Sequence, residues 1–265
     1  MKTIIATCSI LLICTTICTA QQKEGTVVYE RTMQMQIHIN DNDQMAQMMP
    51  KSRTDKFELN FGNNQSLYKH VDEENAADEM SGNGMQIRMV GPGMDDIIYC
   101  NFDAGKKLEQ RSIFDKKFLV ADSIKKLSWK LTGQTKTILG HNCQQALTQR
   151  MGKRTMMNME NGKMERKEIN DTSNIVAWFT TDIPVAAGPE LPGQLPGLIL
   201  ALDINDGRMV YKALDISTKV NLASIKEPSK GKKVTPDEFR NETQKMMEEM
   251  QKNQGGGNRT IRIQN

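Results

Sequence analysis

Two sets of residues in this chain have types and spacings that could do chemistry. His141 and Cys143 are two apart, so on an extended strand they share a face. There they could act as a base and its nucleophile, or ligate a soft metal. The second set is methionine. After Met1, 18 Met remain and 17 of them fall into four groups: Met33, Met35, Met45, Met48, Met49; Met80, Met85, Met89, Met94; Met151, Met156, Met157, Met159, Met164; and Met246, Met247, Met250. Thioether sulfur prefers soft ions such as Cu(I) and Ag(I). Met33 and Met35 sit on the apolar parity of a strand pattern and read as core. Met48, Met49, Met156, Met157 and Met159 fall in polar stretches read as loops, and are the candidate metal ligands, with His141 and Cys143 beside them. The bland readings are Cys143 in a core or disulfide, His141 in a turn after Gly140, and Met as gap-filler, adaptable partner surface or sacrificial oxidant.

Catalysis has little else to draw on. The chain holds three His and has no G-x-S-x-G, H-E-x-x-H or P-loop, and Gly91-Pro92-Gly93 opens no phosphate-binding helix. The expectation is a non-enzymatic protein without a cofactor, copper being the alternative. A formal charge of +3, from 35 Lys plus Arg against 32 Asp plus Glu, gives no reason to expect nucleic acid.

Residues 1–20 have the layout of a secretory signal peptide. Lys2 is followed by the apolar run Ile4 to Cys18 and the small-residue stop Thr19-Ala20. No stretch is long and apolar enough to span a bilayer as a helix. Export removes Cys8, Cys14 and Cys18 and leaves Cys100 and Cys143, which could form one disulfide or remain two buried thiols.

The elements that must position these residues are strands. Val27, Tyr29, Met33, Met35, Ile37 and Ile39 share one parity; Phe57, Leu59 and Phe61 alternate before the Gly62-Asn63-Asn64 turn. Ile97, Ile98 and Tyr99 begin another strand, closed by Asp103-Ala104-Gly105. Leu127, Trp129 and Leu131 alternate up to Gly133, which is expected to end that run. Val210, Leu214, Ile216, Val220 and Leu222 are expected to form one long final strand. Residues 40–53 and 72–93 read as polar insertions, and 152–171 as a hairpin or loop linking two strands. Near the C-terminus Thr235-Pro236-Asp237-Glu238 is a capping box, followed by the helical stripe Phe239, Met246, Met247, Met250 and the Gly255-Gly256-Gly257 stop.

Between Asn174 and Asp203 the composition changes. Four of eight prolines lie between 184 and 196, beside Gly188, Gly193 and Gly197. Proline fixes φ and glycine permits close backbone approach, so a strand ending near Thr181 runs into a rigid loop before the apolar run Leu198 to Leu202. The loop is either a crossover between strands or a binding loop. On the second reading its candidate ligand or partner residues are Trp178, Pro184, Gly188, Pro189, Pro196, Gly197, Leu198 and Ile199.

Here the chain resembles the GLPGLI family of exported bacterial proteins (Porph_ging-type). Leu195-Pro196-Gly197-Leu198-Ile199 matches five of the six signature residues, with Gln194 in place of the first Gly. The approach through Ala177-Trp178-Phe179-Thr180, Ile183-Pro184 and Gly188-Pro189 is similar, as is Ile138 to Ala146. The resemblance implies a signal-bearing protein of a Gram-negative envelope, periplasmic or associated with the outer membrane and its uptake systems, with no agreed activity.

These readings make the chain mainly β, a curved antiparallel sheet or partly closed barrel with a C-terminal amphipathic helix. The expected division is a signal peptide over 1–20, a β-rich domain over 21–225, and a helix with a Gly-rich tail over 226–265. The expected function is a non-enzymatic binding or accessory module of the envelope for a partner protein or apolar ligand; the alternative is a Met-rich periplasmic Cu(I)/Ag(I)-binding protein.

Overall fold

The computed structural model describes residues 22–34, 51–71, 95–113, 115–160 and 163–254, with backbone alone over 153–160, 163–169 and 250–254. The expected signal peptide, Met35, Met48, Met49, most of the two polar insertions and the Gly-rich tail lie outside the described residues.

Alternating apolar runs produce strands joined by tight turns. They are β1 (Gly25–Gln34), β2 (Ser52–Gly62), β3 (Gln65–His70), β4 (Ile97–Asn101), β5 (Lys106–Ile113) and β6 (Lys116–Ser123). Then follow β7 (Lys130–Ile138), β8 (His141–Glu160), β9 (Lys163–Thr180), β10 (Leu198–Ile204) and β11 (Met209–Ser217). A short β12 (Lys232–Val234) precedes the helix α1 (Pro236–Gln254). All twelve strands form one sheet in the order β12-β6-β5-β4-β3-β2-β1-β11-β10-β9-β8-β7. Every pairing is antiparallel except β12 on β6.

Connectivity forces the sheet to curl. In that order β6 and β7 are ten positions apart, which flat would be about 48 Å at roughly 4.8 Å per strand. Yet only residues 124–129 join them, and seven peptide steps reach at most about 24 Å. Curvature therefore brings the two halves of the sheet toward each other. The expected curved antiparallel sheet is what forms, and it stays open, with β7 and β12 as edges.

Three expectations are corrected. Gly133 does not end its strand: β7 runs on to Ile138, and the register with β8 skips between Leu131 and Thr135, a bulge that absorbs the glycine and leaves Leu131 exposed. The final strand stops at Ser217, and Leu222–Ser224 is one turn of 3-10 helix capped by Asn221. Within β11 the buried residues are Tyr211 and Ala213 while Leu214 is exposed, because the β1–β11 register skips at that point and reverses the parity. Strands β3, β5 and β6 lacked clear alternation and were not expected. Past residue 225, β12 adds a short parallel strand to the β6 edge of the same sheet.

The capping box forms as the sequence requires: Glu238 N–H donates to Thr235 Oγ1 at 3.2 Å, and Thr235 N–H to Glu238 Oε2 at 2.8 Å. Phe239 and Met246 lay the helix's apolar stripe on Phe118, Val120 and Val234.

Candidate functional site

The Pro/Gly segment from Thr181 to Gly197 is an internal plug. Ile183, Val185 and Ala187 are buried in one core cluster with Val27, Tyr29, Phe57 and Leu59 from β1 and β2 and with Leu198 and Leu200 from β10. Leu191 and Leu195 enter a second cluster with Ala177, Phe179, Leu202 and Tyr211. Alternation makes this possible: Ile183, Val185 and Ala187 point inward while Pro184 is exposed. Successive tight turns hold the segment, Val185 N–H donating to Ile183 O and Ala187 N–H to Val185 O. Ile199 N–H then donates to Ala187 O, and Tyr29 OH to Ile199 O at 2.6 Å.

Of the loop residues singled out from sequence, Gly188, Pro189, Gly197, Leu198 and Ile199 are buried, and only Pro184 and Pro196 are exposed. Gly197 is required for close approach: a Cβ there would lie 2.7 Å from the Thr180 carbonyl carbon and nearer still to its oxygen. Trp178 is partly buried on β9, with Lys136 Nζ 4.1 Å from its ring centroid. Gln194, the departure from the signature, has a role of its own. Its side-chain oxygen accepts from Leu127 N–H at 2.9 Å and its amide donates to Lys125 O at 2.8 Å, fastening the β6–β7 connection to the plug. Lys126 Nζ donates to Gly193 O in the same place. The left-handed backbone falls one residue earlier, at Gly193 (φ +75°), where a Cβ would also meet Ile124 at 2.6 Å.

A polar chain ties the plug to the sheet. The Glu190 carboxylate accepts from Tyr211 OH at 2.6 Å, Tyr211 hydrogen-bonds Arg31, and Arg31 pairs with Asp55 at 2.8 Å beneath the Phe57 ring. Arg53 also reaches Asp55 at 2.8 Å. Burial works to raise the Asp55 carboxyl, but the two guanidiniums outweigh it and hold it below its ordinary range. Burial raises the phenols of Tyr29, Tyr68 and Tyr211. A cleft beside the plug, between Ser66, Tyr68, Cys100, Gly188 and Glu190, has a volume of about 10 Å3. That is room for about one water molecule.

His141 and Cys143 do not form a reactive pair. Cys143 is fully buried in the first core cluster and its thiol donates to the His141 backbone oxygen at 3.6 Å, while the His141 ring faces Asp182 at 3.4 Å. Burial raises the Cys143 thiol, and pushes that of Cys100 up to about 12. Activation needs the opposite direction. Of the two readings of Cys100 and Cys143, bridged or separate thiols, the structure holds the second. Both cysteines are free and buried, Cys100 on β4 and Cys143 on β8, in different halves of the sheet order. Among the described residues no three His, Cys, Asp or Glu are grouped to hold a metal ion.

The stretch over 152–171 is a hairpin. Beyond Gln149 and Asn174 strands β8 and β9 pair only with each other, since β7 leaves β8 at Leu147 and β10 leaves β9 at Ile175, save one link from Asn205 to Asn174. The dozen residues of each strand past that point make a two-stranded ribbon roughly 40 Å long. Met156, Met157 and Met159, read from sequence as loop residues, are strand residues of this ribbon.

A second concavity was missed by sequence reasoning. A groove of about 380 Å3 lies between α1 and the face of β5 and β6, lined by Lys107, Glu109, Arg111, Asp122, Phe239 and Thr243 among others. Glu109 is buried between Lys107 (2.6 Å) and Arg111 (2.5 Å). Burial works to raise its carboxyl, but the two cations outweigh it and hold it below its ordinary range. The signal was the alternation Lys107-x-Glu109-x-Arg111, which marks a charged strand face.

In overall shape the chain is similar to PNGF-II, in structures of its C2 and P21 crystal forms, with TM-scores of 0.51 and 0.50 at 15% identity. The likeness covers 84% of this chain but only 33% and 34% of those chains, so this chain spans about a third of their length and shares the fold alone. Among curated proteins none matches the chain. Residues 129–201, from Trp129 on the β6–β7 connection through the ribbon and plug to Ala201 on β10, match the family described as "Protein of unknown function (Porph_ging)".

Proposed function

We propose that this protein is an exported component of the bacterial envelope that works without catalysis, as a binding or accessory module for a partner protein. The signal-like leader and the family resemblance motivate the setting. The observation that carries the binding reading is the β8–β9 ribbon, which extends about a dozen residues past both neighbouring strands while the concavity of the sheet is filled by the plug. Past that point neither strand of the ribbon has a further neighbour in the sheet, so its two outer backbone edges are open to another chain. The β7 edge is a weaker candidate, because its bulge and its Lys130 and Lys136 discourage strand addition. The apolar-ligand version has less support, since Ile183, Val185, Ala187, Leu191 and Leu195 of the plug already occupy the interior.

Site-specific photo-cross-linking in the native envelope tests this. A cross-linker at exposed Asn170 on the ribbon should capture a discrete partner that one at exposed Glu249 on α1 does not. Equal, diffuse labelling from both positions would defeat the proposal.

A further inference from the structure

We infer that the ribbon joins two copies of this chain, the outer edge of β8 in one copy pairing antiparallel with the same edge in the other about Met157. This rests on the partner-binding reading and names the partner. Among the described residues, the edge of β8 turned away from β9 has no strand beside it past Leu147. Its backbone therefore offers the N–H and C=O groups of alternate residues to another strand. A two-stranded ribbon is marginal on its own in water, and two ribbons joined in this way make a four-stranded sheet.

The open edges differ in how they are guarded. The ends of the sheet are β7, bulged and bearing Lys130 and Lys136, and β12, three residues long with Lys232 and Lys233. In β9, the other strand of the ribbon, five of the six residues 163–168 are charged. Bulges, short edges and charges all discourage strand addition. In β8, by contrast, Thr155-Met156-Met157-Asn158-Met159 runs for five residues without a charge or a proline. Self-pairing also fixes a register. A twofold axis normal to a sheet keeps every position on its own face, so it pairs positions of equal parity. Centred on Met157, it sets Thr155 across from Met159, Met156 across from Asn158, and Arg154 across from Glu160. The Arg154 and Glu160 positions, which meet at both ends, carry opposite formal charges, and none of the seven pairs from 154 to 160 joins like charges. Moving the centre by one residue, to Met156 or Asn158, loses both Arg–Glu pairs.

The test is made on the mature protein, in which Cys100 and Cys143 are buried and leave introduced thiols to be read alone. Under mild oxidation Met157→Cys should form an intermolecular disulfide, since directly opposed Cα atoms lie about 4.5–5.5 Å apart, within reach of a bridge. Thr155→Cys alone and Met159→Cys alone should not, because each lies four residues, about 13 Å, from its own copy across the pair. The two proteins mixed should link. Sedimentation should show a dimer whose dissociation constant rises about tenfold in Glu160→Lys and recovers when Arg154→Glu is added. Unchanged circular dichroism would confirm that each variant folds. A monomer at every concentration, or equal homodisulfide yields at positions 155, 157 and 159, overturns the inference. A monomer that captures a foreign protein through Asn170 overturns it and leaves the partner reading standing, whereas a monomer with diffuse labelling ends both.

Discussion

Replacing Ile183 by Ala separates a structural plug from a binding loop. Ile183 is fully buried among Val27, Tyr29, Phe57 and Leu200. The substitution removes three buried carbons, about 2.4 kcal/mol at roughly 0.8 kcal/mol each. The space left adds a cavity term whose size depends on how far the surroundings collapse. Little collapse is expected here, because the Ile183 carbonyl already accepts from both Val185 N–H and Leu198 N–H and holds the backbone in place. The total is therefore about 3–4 kcal/mol, inside the usual range for Ile→Ala in a core. Urea unfolding, followed through Trp129 and Trp178, should show the midpoint falling with an unchanged slope. Thermal unfolding should fall by about 10 °C for a domain of this size. Leu139→Ala, at an exposed turn position, should stay within about 0.5 kcal/mol of wild type. If Ile183→Ala behaved like Leu139→Ala, the segment would not be a plug, and the case against an internal ligand would collapse with it.

Four further outcomes follow from the same geometry. Gly197→Ala should cost about 3 kcal/mol, because its Cβ meets Thr180 backbone that cannot yield, whereas Gly152→Ala, with nothing within 4 Å, should cost nothing; comparison of their denaturation midpoints decides it. Asp55→Asn should lose about 3 kcal/mol at pH 7 by leaving Arg31 in the interior without its carboxylate partner. Because the folded Asp55 pKa lies below its unfolded value, its contribution is full above about pH 4 and is lost as pH falls through the folded pKa. The gap between wild type and Asp55→Asn should accordingly narrow in acid, and a gap that widened would contradict the assignment. Gln194→Gly, which restores the signature residue, should destabilise by about 1–2 kcal/mol through loss of its two amide hydrogen bonds. Cys100 and Cys143 should both resist a thiol reagent in the native state and both react after unfolding; a mature protein two mass units light and without titratable thiols would show that they are bridged.

What the sequence made legible was the set of elements with strong local signals. The alternation of Val27, Tyr29, Phe57, Leu59 and Phe61, the Gly62-Asn63-Asn64 turn and the capping box all appear where spacing puts them, because each is decided by residues within a few positions. What failed was parity across bulges. One extra residue enters a strand at Leu214 and two near Gly133, a choice made by the neighbouring strand rather than by local composition. Strand β5 was obscured because one of its faces bears Lys107, Glu109 and Arg111, a pattern that reads as polar loop until α1 is known to cover it. The plug was visible as rigid punctuation, but its burial was not. Only the alternation Ile183, Val185, Ala187 hinted at it, and an extended segment filling a curved sheet has the same signature as a strand.

The plug also shapes how the protein can act. Opening the concavity would expose Ile183, Val185, Ala187, Leu191 and Leu195 together, and would pull Glu190 from Tyr211, the link that joins it to Arg31 and Asp55. Burying each large aliphatic side chain is worth about 1.5–3 kcal/mol, so an apolar ligand would have to replace most of that burial before it gained any affinity. The Gly193 and Gln194 contacts to residues 124–127 also bind the plug to the only covalent link between β6 and β7, so displacing it would loosen the curl of the sheet itself. A fold that ties its interior loop to its own closure is suited to presenting a fixed outer surface. In this chain the ribbon runs past both neighbouring strands, and the partner-binding reading falls on it.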